Sequence, residues 1–322
     1  MKTVYRTSYG PPEIIAIREV PIPEPRPGEL LVRVHATTVN RTDCGALWGA
    51  PYVYRFFVGW PRPRAIATGT DFAGEVVGHG AGTARFSVGD RVMGFDDNNL
   101  GSHAQYLCVA ERRAIARIPD GVAYETAAAS MEGAHYARNF IDAVTLRPGD
   151  EVLVNGATGA IGSAAVVLLK HKGARVTAVC AEPHRATVAA LGADRTLDYT
   201  QTPFDAQLQG ETFAFVFDAV GKSTFAACRP LLHDTGAYLS SELGPFCQNP
   251  IYAALAPLMR GPKVRFPIPG ELARTLDLVS RLLAEGKYTP LIDRRYPLEE
   301  IQDAFTYVAS GQKLGNVVLT LD

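Results

Sequence analysis

The stretch that most restricts this chain is VLVNGATGAIGSAAVVLLKHKGARVTAVC, residues 152–180. An apolar run meets Gly156, Ala157, Thr158, Gly159, Ala160, Ile161 and Gly162, then a long apolar-periodic segment, then a second apolar run, VTAVC. That order predicts strand, tight turn, helix and strand. A helix that starts in such a turn aims its free N–H groups, and roughly half a positive charge from its dipole, at whatever lies there, which stabilises a pyrophosphate. Gly159 and Gly162 stand where the backbone approaches the phosphates and where the helix packs close to the strand, while Ala157 replaces the first glycine of the usual G-x-G-x-x-G. With a strand before it, a helix after it and a second strand about twenty residues on, the motif reads as a dinucleotide site.

The end of the second strand bears on which dinucleotide. A NAD-preferring site places Asp or Glu there, on the ribose 2′-hydroxyl. Here the strand ends in Cys180-Ala181, followed by His184 and Arg185, either of which could pair with a 2′-phosphate; Glu182 sits close enough to complicate that pairing. The residues favour NADPH, with NADH as the alternative.

The rest of the composition excludes several classes. Formal net charge is −1 over 322 residues, with no long block of Lys or Arg, which argues against a nucleic-acid partner. No apolar segment approaches the roughly 20 residues that span a bilayer, so no membrane partner is expected. The N-terminus MKTVYRTSYGPPE lacks the apolar stretch of a signal peptide, and a cytoplasmic location is expected. The cysteines Cys44, Cys108, Cys180, Cys228 and Cys247 are scattered and never form a CxxC pair, which argues against a disulfide framework and a four-cysteine zinc site.

Three regions differ in texture. Residues 1–120 carry short β-like runs (LLVRVHATTV at 30–39, GEVVGHG at 74–80, DRVMGF at 90–95, AQYLCVA at 104–110) between turn signals such as PRPGE and SVGD, and predict a barrel-like or sandwich-like β domain. Residues 121–262 alternate strands (152–156, 175–180, 213–220, 236–241) with helical segments, which predicts a parallel sheet covered on both faces. Residues 263–322 predict a helix over 271–286, a second begun by Pro297, and a terminal strand NVVLTL, a tail that returns to the first domain.

Ordered motifs run almost from end to end: YGPPE (9–13), PRPGELLVRVHATTVNRTD (25–43), GTDFAGEVVGHG (69–80), RFSVGDRVMGF (85–95), VLVNGATGAIG (152–162), LGADRTLDYT (191–200), FVFDAVGK (215–222) and YPLEEIQDAFTYVASGQKLGNVVLTL (296–321). In these the chain resembles the medium-chain dehydrogenase/reductase superfamily, and within it the zinc-free quinone oxidoreductase branch. The resemblance implies an α/β plus β fold, a Rossmann-type doubly wound parallel sheet inserted into a chaperonin-10-like β-barrel domain. It places the active site in the cleft between the two, and it implies a homodimer joined through the cofactor domain. Zinc-dependent relatives carry Cys, His and Cys or Asp at three catalytic positions, where this chain has Asn40, Thr70 and Glu132. DDNNLGSH (96–103) likewise offers no Cys for a structural zinc lobe. Zinc is therefore not expected at either place, since such sites want thiolate and imidazole.

Without a Lewis acid the substrate should already accept hydride well, which suits quinones and α,β-unsaturated carbonyls. An enoyl-thioester or biosynthetic enone reductase is the alternative, and a slow dinucleotide-binding sensor or structural protein the second. By resemblance, Asn40 lies near the nicotinamide ribose and the substrate oxygen. Thr158, Gly159, Ala160, Ile161 and Gly162 line the pyrophosphate, and Cys180, His184, Arg185 and Tyr199 lie toward the adenosine. Val220, Gly221, Ser240, Ser241 and Leu243 flank the nicotinamide, and Asn316 reaches the cofactor from the tail. Tyr136, within MEGAHYA, takes the place of a threonine near the nicotinamide, either as a donor or as packing; His135 reads as structural. Trp48, Tyr52, Tyr54, Phe56 and Phe57 are candidates for an apolar wall of the substrate pocket, or for core.

Overall fold

A computed structural model describes all residues except 51, 53, 54, 65, 97–99, 241, 259, 269 and 322, and the side chains of Phe57 and Val58 also lie outside the description. The first stretch holds β1 (Lys2–Tyr5), β2 (Ala16–Glu19), β3 (Glu29–Val39), α1 (Arg41–Trp48), α2 (Arg55–Val58), β4 (Asp71–His79), β5 (Arg91–Phe95), β6 (Tyr106–Ala110), β7 (Ile115–Arg117) and α3 (Tyr124–Ala129). The middle alternates α4 (Glu132–Asp142), β8 (Glu151–Asn155), α5 (Ala160–His171), β9 (Arg175–Cys180), α6 (Arg185–Ala190), β10 (Arg195–Asp198), α7 (Phe204–Gln207), β11 (Phe213–Asp218), α8 (Phe225–Cys228), β12 (Leu232–Ser240), α9 (Gln248–Leu255) and β13 (Lys263–Arg265). The tail adds α10 (Leu272–Ala284), β14 (Ile292–Pro297), α11 (Ile301–Ala309) and β15 (Asn316–Thr320).

Two units result: Met1–Met131 with Leu272–Asp322, and Glu132–Glu271. These divisions fall beyond the changes of texture at 120 and 262. Helix α3 packs on β3, β4 and β15 and so stays with the first unit. Gly270 donates its N–H to Asn139 Oδ1 on α4 at 3.0 Å, which keeps that end with the second.

The first unit is built around β3, which pairs with β4 on one edge and with β6 and then β15 on the other. Its burial alternates over Leu30, Val32 and Val34 and then becomes continuous from Ala36 to Val39, where β15 lies alongside. Tail residues Phe305, Val317 and Leu319 share one core with Val4, Leu30, Phe72 and Val92. The sheet runs β14-β15-β3-β4-β5-β7, with β6 on β3, and among the described residues no pairing closes that path into a barrel.

The second unit is a six-stranded sheet, β10-β9-β8-β11-β12-β13, with every pairing parallel. Numbered within the unit, that order is 3-2-1-4-5-6, the Rossmann order, and it reverses between β8 and β11. Val152–Val154, Val176–Cys180 and Val216–Phe217 are buried throughout, as strands covered on both faces must be. Gly133 on α4 lets that helix meet α5 closely, because a Cβ there would stand 2.5 Å from Ala160 O. Among the described residues no helix is long and apolar enough to cross a membrane.

Candidate active site

Ligands of such sheets bind beyond the carboxyl ends of the strands at the point where the order reverses. The glycine turn occupies that point. Gly156 follows β8 at φ +81°, and a Cβ there would come within 2.7 Å of the Val220 Cβ. Gly162 has still less room, since its Cβ would stand 2.1 Å from Gly156 O. Ala157 needs no such freedom: it has no positive φ, is fully buried, and donates its N–H to Val179 O at 3.1 Å. This explains why alanine serves where the usual motif has its first glycine. Gly159 caps α5 with extended backbone and no side chain, and the first turn of α5 holds no acidic residue. The first N–H groups of the helix thus face a half-exposed turn, a cradle that suits a pyrophosphate.

The neighbouring strand ends are tied to this turn. Asn155 Nδ2 donates to Asp218 Oδ1 at 3.0 Å, linking β8 to β11. Asp218 Oδ2 accepts from the Tyr238 hydroxyl at 2.9 Å and from the Ser223 N–H at 3.1 Å, which closes the loop carrying Val220 and Gly221. A Cβ on Gly221 would meet Glu242 Cγ at 2.3 Å, and the Glu242 N–H donates to Ser240 Oγ at 3.2 Å. Leu243 follows, its carbonyl accepting from the Asn249 N–H at 3.0 Å. Thr158–Gly162, Val220, Gly221, Ser240 and Leu243 therefore gather at one end of the sheet; Ser241 lies outside the described residues.

At the β9 end, Cys180 is buried, and burial pushes its thiol up to about 11. Tyr199 is exposed and donates its N–H to Cys180 O at 3.4 Å. His184 ends a short 3-10 turn, Glu182–His184. Arg185 donates from Nη1 to Glu182 Oε2 and from Nε to Thr196 Oγ1, each at 3.0 Å. On α4, Glu132 and His135 are buried and Tyr136 is half-buried, its ring edge-on to His135 at 5.6 Å. Burial, then the Arg138 charge, lowers His135 to about 4, so it is neutral at pH 7.

The first unit carries a different arrangement. Asn40 caps α1, is buried, and donates its backbone N–H to Asp43 Oδ2 at 2.9 Å. Its Nδ2 donates to Thr38 Oγ1 at 2.6 Å, and the Thr38 hydroxyl donates to Asp71 Oδ2. Asp71 Oδ1 accepts from the Thr38 N–H at 2.7 Å and from Thr37 Oγ1 at 3.2 Å. His103 bridges Thr38 O (Nε2, 2.9 Å) and Thr68 Oγ1 (Nδ1, 2.8 Å). A carbonyl only accepts, so the proton is on Nε2 and Thr68 donates to Nδ1. Burial raises both Asp43 and Asp71, the latter to about 7, and lowers His103 to about 4. Asn316 is also buried; its N and Nδ2 both donate to Leu291 O, at 2.8 and 3.0 Å, and its Oδ1 has no partner among the described residues.

Comparison with known proteins places this geometry. Residues 26–120 match the alcohol dehydrogenase GroES-like domain, and residues 191–319 match a family described as zinc-binding dehydrogenase. A chloroplastic quinone-oxidoreductase homolog of Spinacia oleracea is 30% identical over 318 residues, covering 94% of this chain and 92% of the relative. The chain belongs to the medium-chain dehydrogenase/reductase superfamily, in its quinone-oxidoreductase branch. The 2-methylene-furan-3-one reductase of Solanum lycopersicum is 26% identical, covering 99% of this chain and 79% of its own. The quinone oxidoreductase of Coxiella burnetii superposes with a TM-score of 0.87 at 23% identity, covering 100% and 99% of the two chains.

As a member of this superfamily the protein is an NAD(P)H-dependent oxidoreductase. The zinc of its metal-dependent relatives does not fit here. The Asn40 amide is engaged with Thr38, Thr70 offers a buried neutral hydroxyl, and Glu132 is the one charged donor of the three. Neither an amide nor a hydroxyl replaces thiolate or imidazole. Among the described residues no three His, Cys, Asp or Glu side chains are grouped to hold a metal.

The aromatic candidates divide. Trp48 packs against the core of the first unit. Tyr52 and Phe56 are exposed and gather on Trp60, edge-on at 5.3 Å and stacked at 5.6 Å. Tyr54 and the Phe57 side chain lie outside the described residues. Sequence reasoning missed Thr38, Asp71 and His103. The available signal was an Asp at the head of the strand DFAGEVV, directly before the apolar pair Phe72-Ala73.

Proposed function

We propose that this oxidoreductase transfers hydride from NADPH to a quinone or an α,β-unsaturated carbonyl. The observation that carries the reading is the replacement of the zinc donor set by Asn40, Thr70 and Glu132 in a chain that keeps an intact glycine cradle. With no Lewis acid to polarise an isolated carbonyl, conjugation in the acceptor must spread the developing negative charge. The names of the spinach and tomato relatives, a quinone-oxidoreductase homolog and a furanone reductase, fit that class.

Thr158 to Gly162 hold the pyrophosphate through backbone N–H groups. Cys180, His184, Arg185 and Tyr199 lie toward the adenosine, and Val220, Gly221, Ser240, Ser241 and Leu243 flank the nicotinamide. The Oδ1 of Asn316, without a partner among the described residues, accepts from the cofactor. When bound, the nicotinamide supplies the hydride. Asn40 donates the second proton of Nδ2 to the acceptor oxygen, and the Tyr136 hydroxyl serves the same oxygen; such donors act where charge develops. NADPH is preferred over NADH because no carboxylate ends β9. The Glu182–Arg185 pair tempers that preference by neutralising the cation nearest the 2′-phosphate. A homodimer through the cofactor-binding unit is part of the same reading, supported by β13 ending its sheet.

Steady-state turnover of a quinone panel against an enone panel, with NADPH and NADH compared, tests this. Turnover of conjugated acceptors with NADPH favoured is expected. No turnover of either panel, or a preference for NADH, would contradict it.

A further inference from the structure

An ionised carboxylate, as Asp71 is above about pH 7, accepts hydrogen bonds and donates none. That asymmetry gives the buried chain Asn40–Thr38–Asp71 a direction. Thr38 has one hydroxyl proton, and it goes to Asp71 Oδ2. Thr38 Oγ1 can therefore meet Asn40 only as an acceptor, and Asn40 has to offer Nδ2, which it does at 2.6 Å. Turning the Asn40 amide over would set two acceptors face to face.

The partners that impose this direction are themselves held. Asp71 Oδ1 takes the Thr38 N–H at 2.7 Å, and Thr37 Oγ1 donates to Asp71 O at 2.7 Å. His103 Nε2 donates to Thr38 O at 2.9 Å. Asp71, Thr37, Thr38, Asn40 and His103 are all buried, so water does not compete for these bonds.

We infer that Asp71 is a positioning residue that acts through Thr38 to set which way the Asn40 amide faces. The inference rests on the proposed function for its consequence: Nδ2 keeps one proton for the acceptor oxygen, and the amide presents it in one orientation. Asp71→Asn reverses the logic without changing the shape. An amide Nδ2 at position 71 donates to Thr38 Oγ1, the Thr38 proton turns toward Asn40, and Asn40 must answer with Oδ1.

The test pairs a structural readout with a kinetic one. In protein labelled with ¹⁵N-asparagine, the Asn40 side-chain amide should exchange with solvent about tenfold or more slowly than exposed amides, as buried hydrogen-bonded groups do. Thr38→Ser should keep that protection, while Asp71→Asn and Thr38→Val should lose it. In turnover with NADPH and an enone, Asp71→Asn should lower kcat about 10- to 100-fold with little change in the KM for NADPH. In an Asn40→Ala background the same substitution should have no further effect. Protection that survives Asp71→Asn, or an equal kcat loss in both backgrounds, would overturn the assignment. If Asp71→Asn does not fold, Thr38→Val carries the same comparison. Loss of protection in the variants of a wild type that reduces neither quinone nor enone would uphold the Asp71–Asn40 link and reject the proposed function instead.

Discussion

The glycine turn of the second unit and the Asn40 cluster of the first recognise by opposite means. The turn offers backbone N–H groups and works because side chains are absent: Gly156 and Gly162 leave no room for a Cβ. The cluster works because side chains are present, with a carboxylate, three threonines and a histidine spending hydrogen bonds on one another. A backbone cradle is indifferent to pH and intolerant of bulk. A buried side-chain network tolerates little change in proton count.

The largest effect expected from this contrast lies in the turn. Gly162→Val forces atoms against Gly156 O and should weaken NADPH and NADH binding alike, by about a hundredfold, or about 3 kcal/mol. Calorimetric titration reads this directly, and near-normal affinity for either cofactor would mean the turn does not hold the pyrophosphate.

Tyr136→Phe should come next. If its hydroxyl serves the acceptor oxygen, kcat falls on the order of 10²-fold with NADPH affinity unchanged. Wild-type kcat with both a quinone and an enone would make Tyr136 a packing residue and leave Asn40 as the donor.

The cluster should reveal itself through pH. His103 is depressed to about 4 by burial, so its contribution to stability is present above its ordinary value of 6.5 and is lost as pH falls through about 4. Asp71 is raised to about 7, so its contribution is full below its ordinary 3.8 and is lost as pH rises through about 7. Chemical denaturation between about pH 4 and 7 should show stability rising more steeply with pH in Asp71→Asn, because the Asp71 contribution that opposes that of His103 is gone. An unchanged slope would mean that Asp71 titrates alike in the folded and unfolded chain. The smallest effect belongs to Arg185→Ala, already paired with Glu182 at a half-exposed site: NADPH should weaken about three- to tenfold more than NADH. Equal losses would remove Arg185 from cofactor selection.

The same contrast explains what could be read from the sequence. The turn announces itself because its chemistry demands glycine at fixed spacing along one continuous strand–turn–helix, so β8, α5 and β9 were legible nearly to the residue. Helix α4 was not: Glu132, His135 and Asn139 are buried polar residues, and they interrupt the apolar face by which a helix is recognised. In the cluster, Asn40 stood out by its place in a motif. Its partners Asp71 and His103 come from distant segments, brought together by the β3–β4 pairing and the loop before β6, and sequence spacing carries no record of that register. The Glu182–Arg185 pair was nearer to hand, three residues apart and sharing a turn.

The most direct test of the central claim uses two acceptors with one skeleton, cyclohex-2-enone and cyclohexanone, offered with NADPH to enzyme dialysed against a strong chelator. Zinc-free chemistry that depends on conjugation predicts an undiminished rate on the enone and a rate at least about a hundredfold lower on the ketone. Comparable rates on the two, or enone reduction that disappears with the chelated metal and returns with added zinc, would contradict the account.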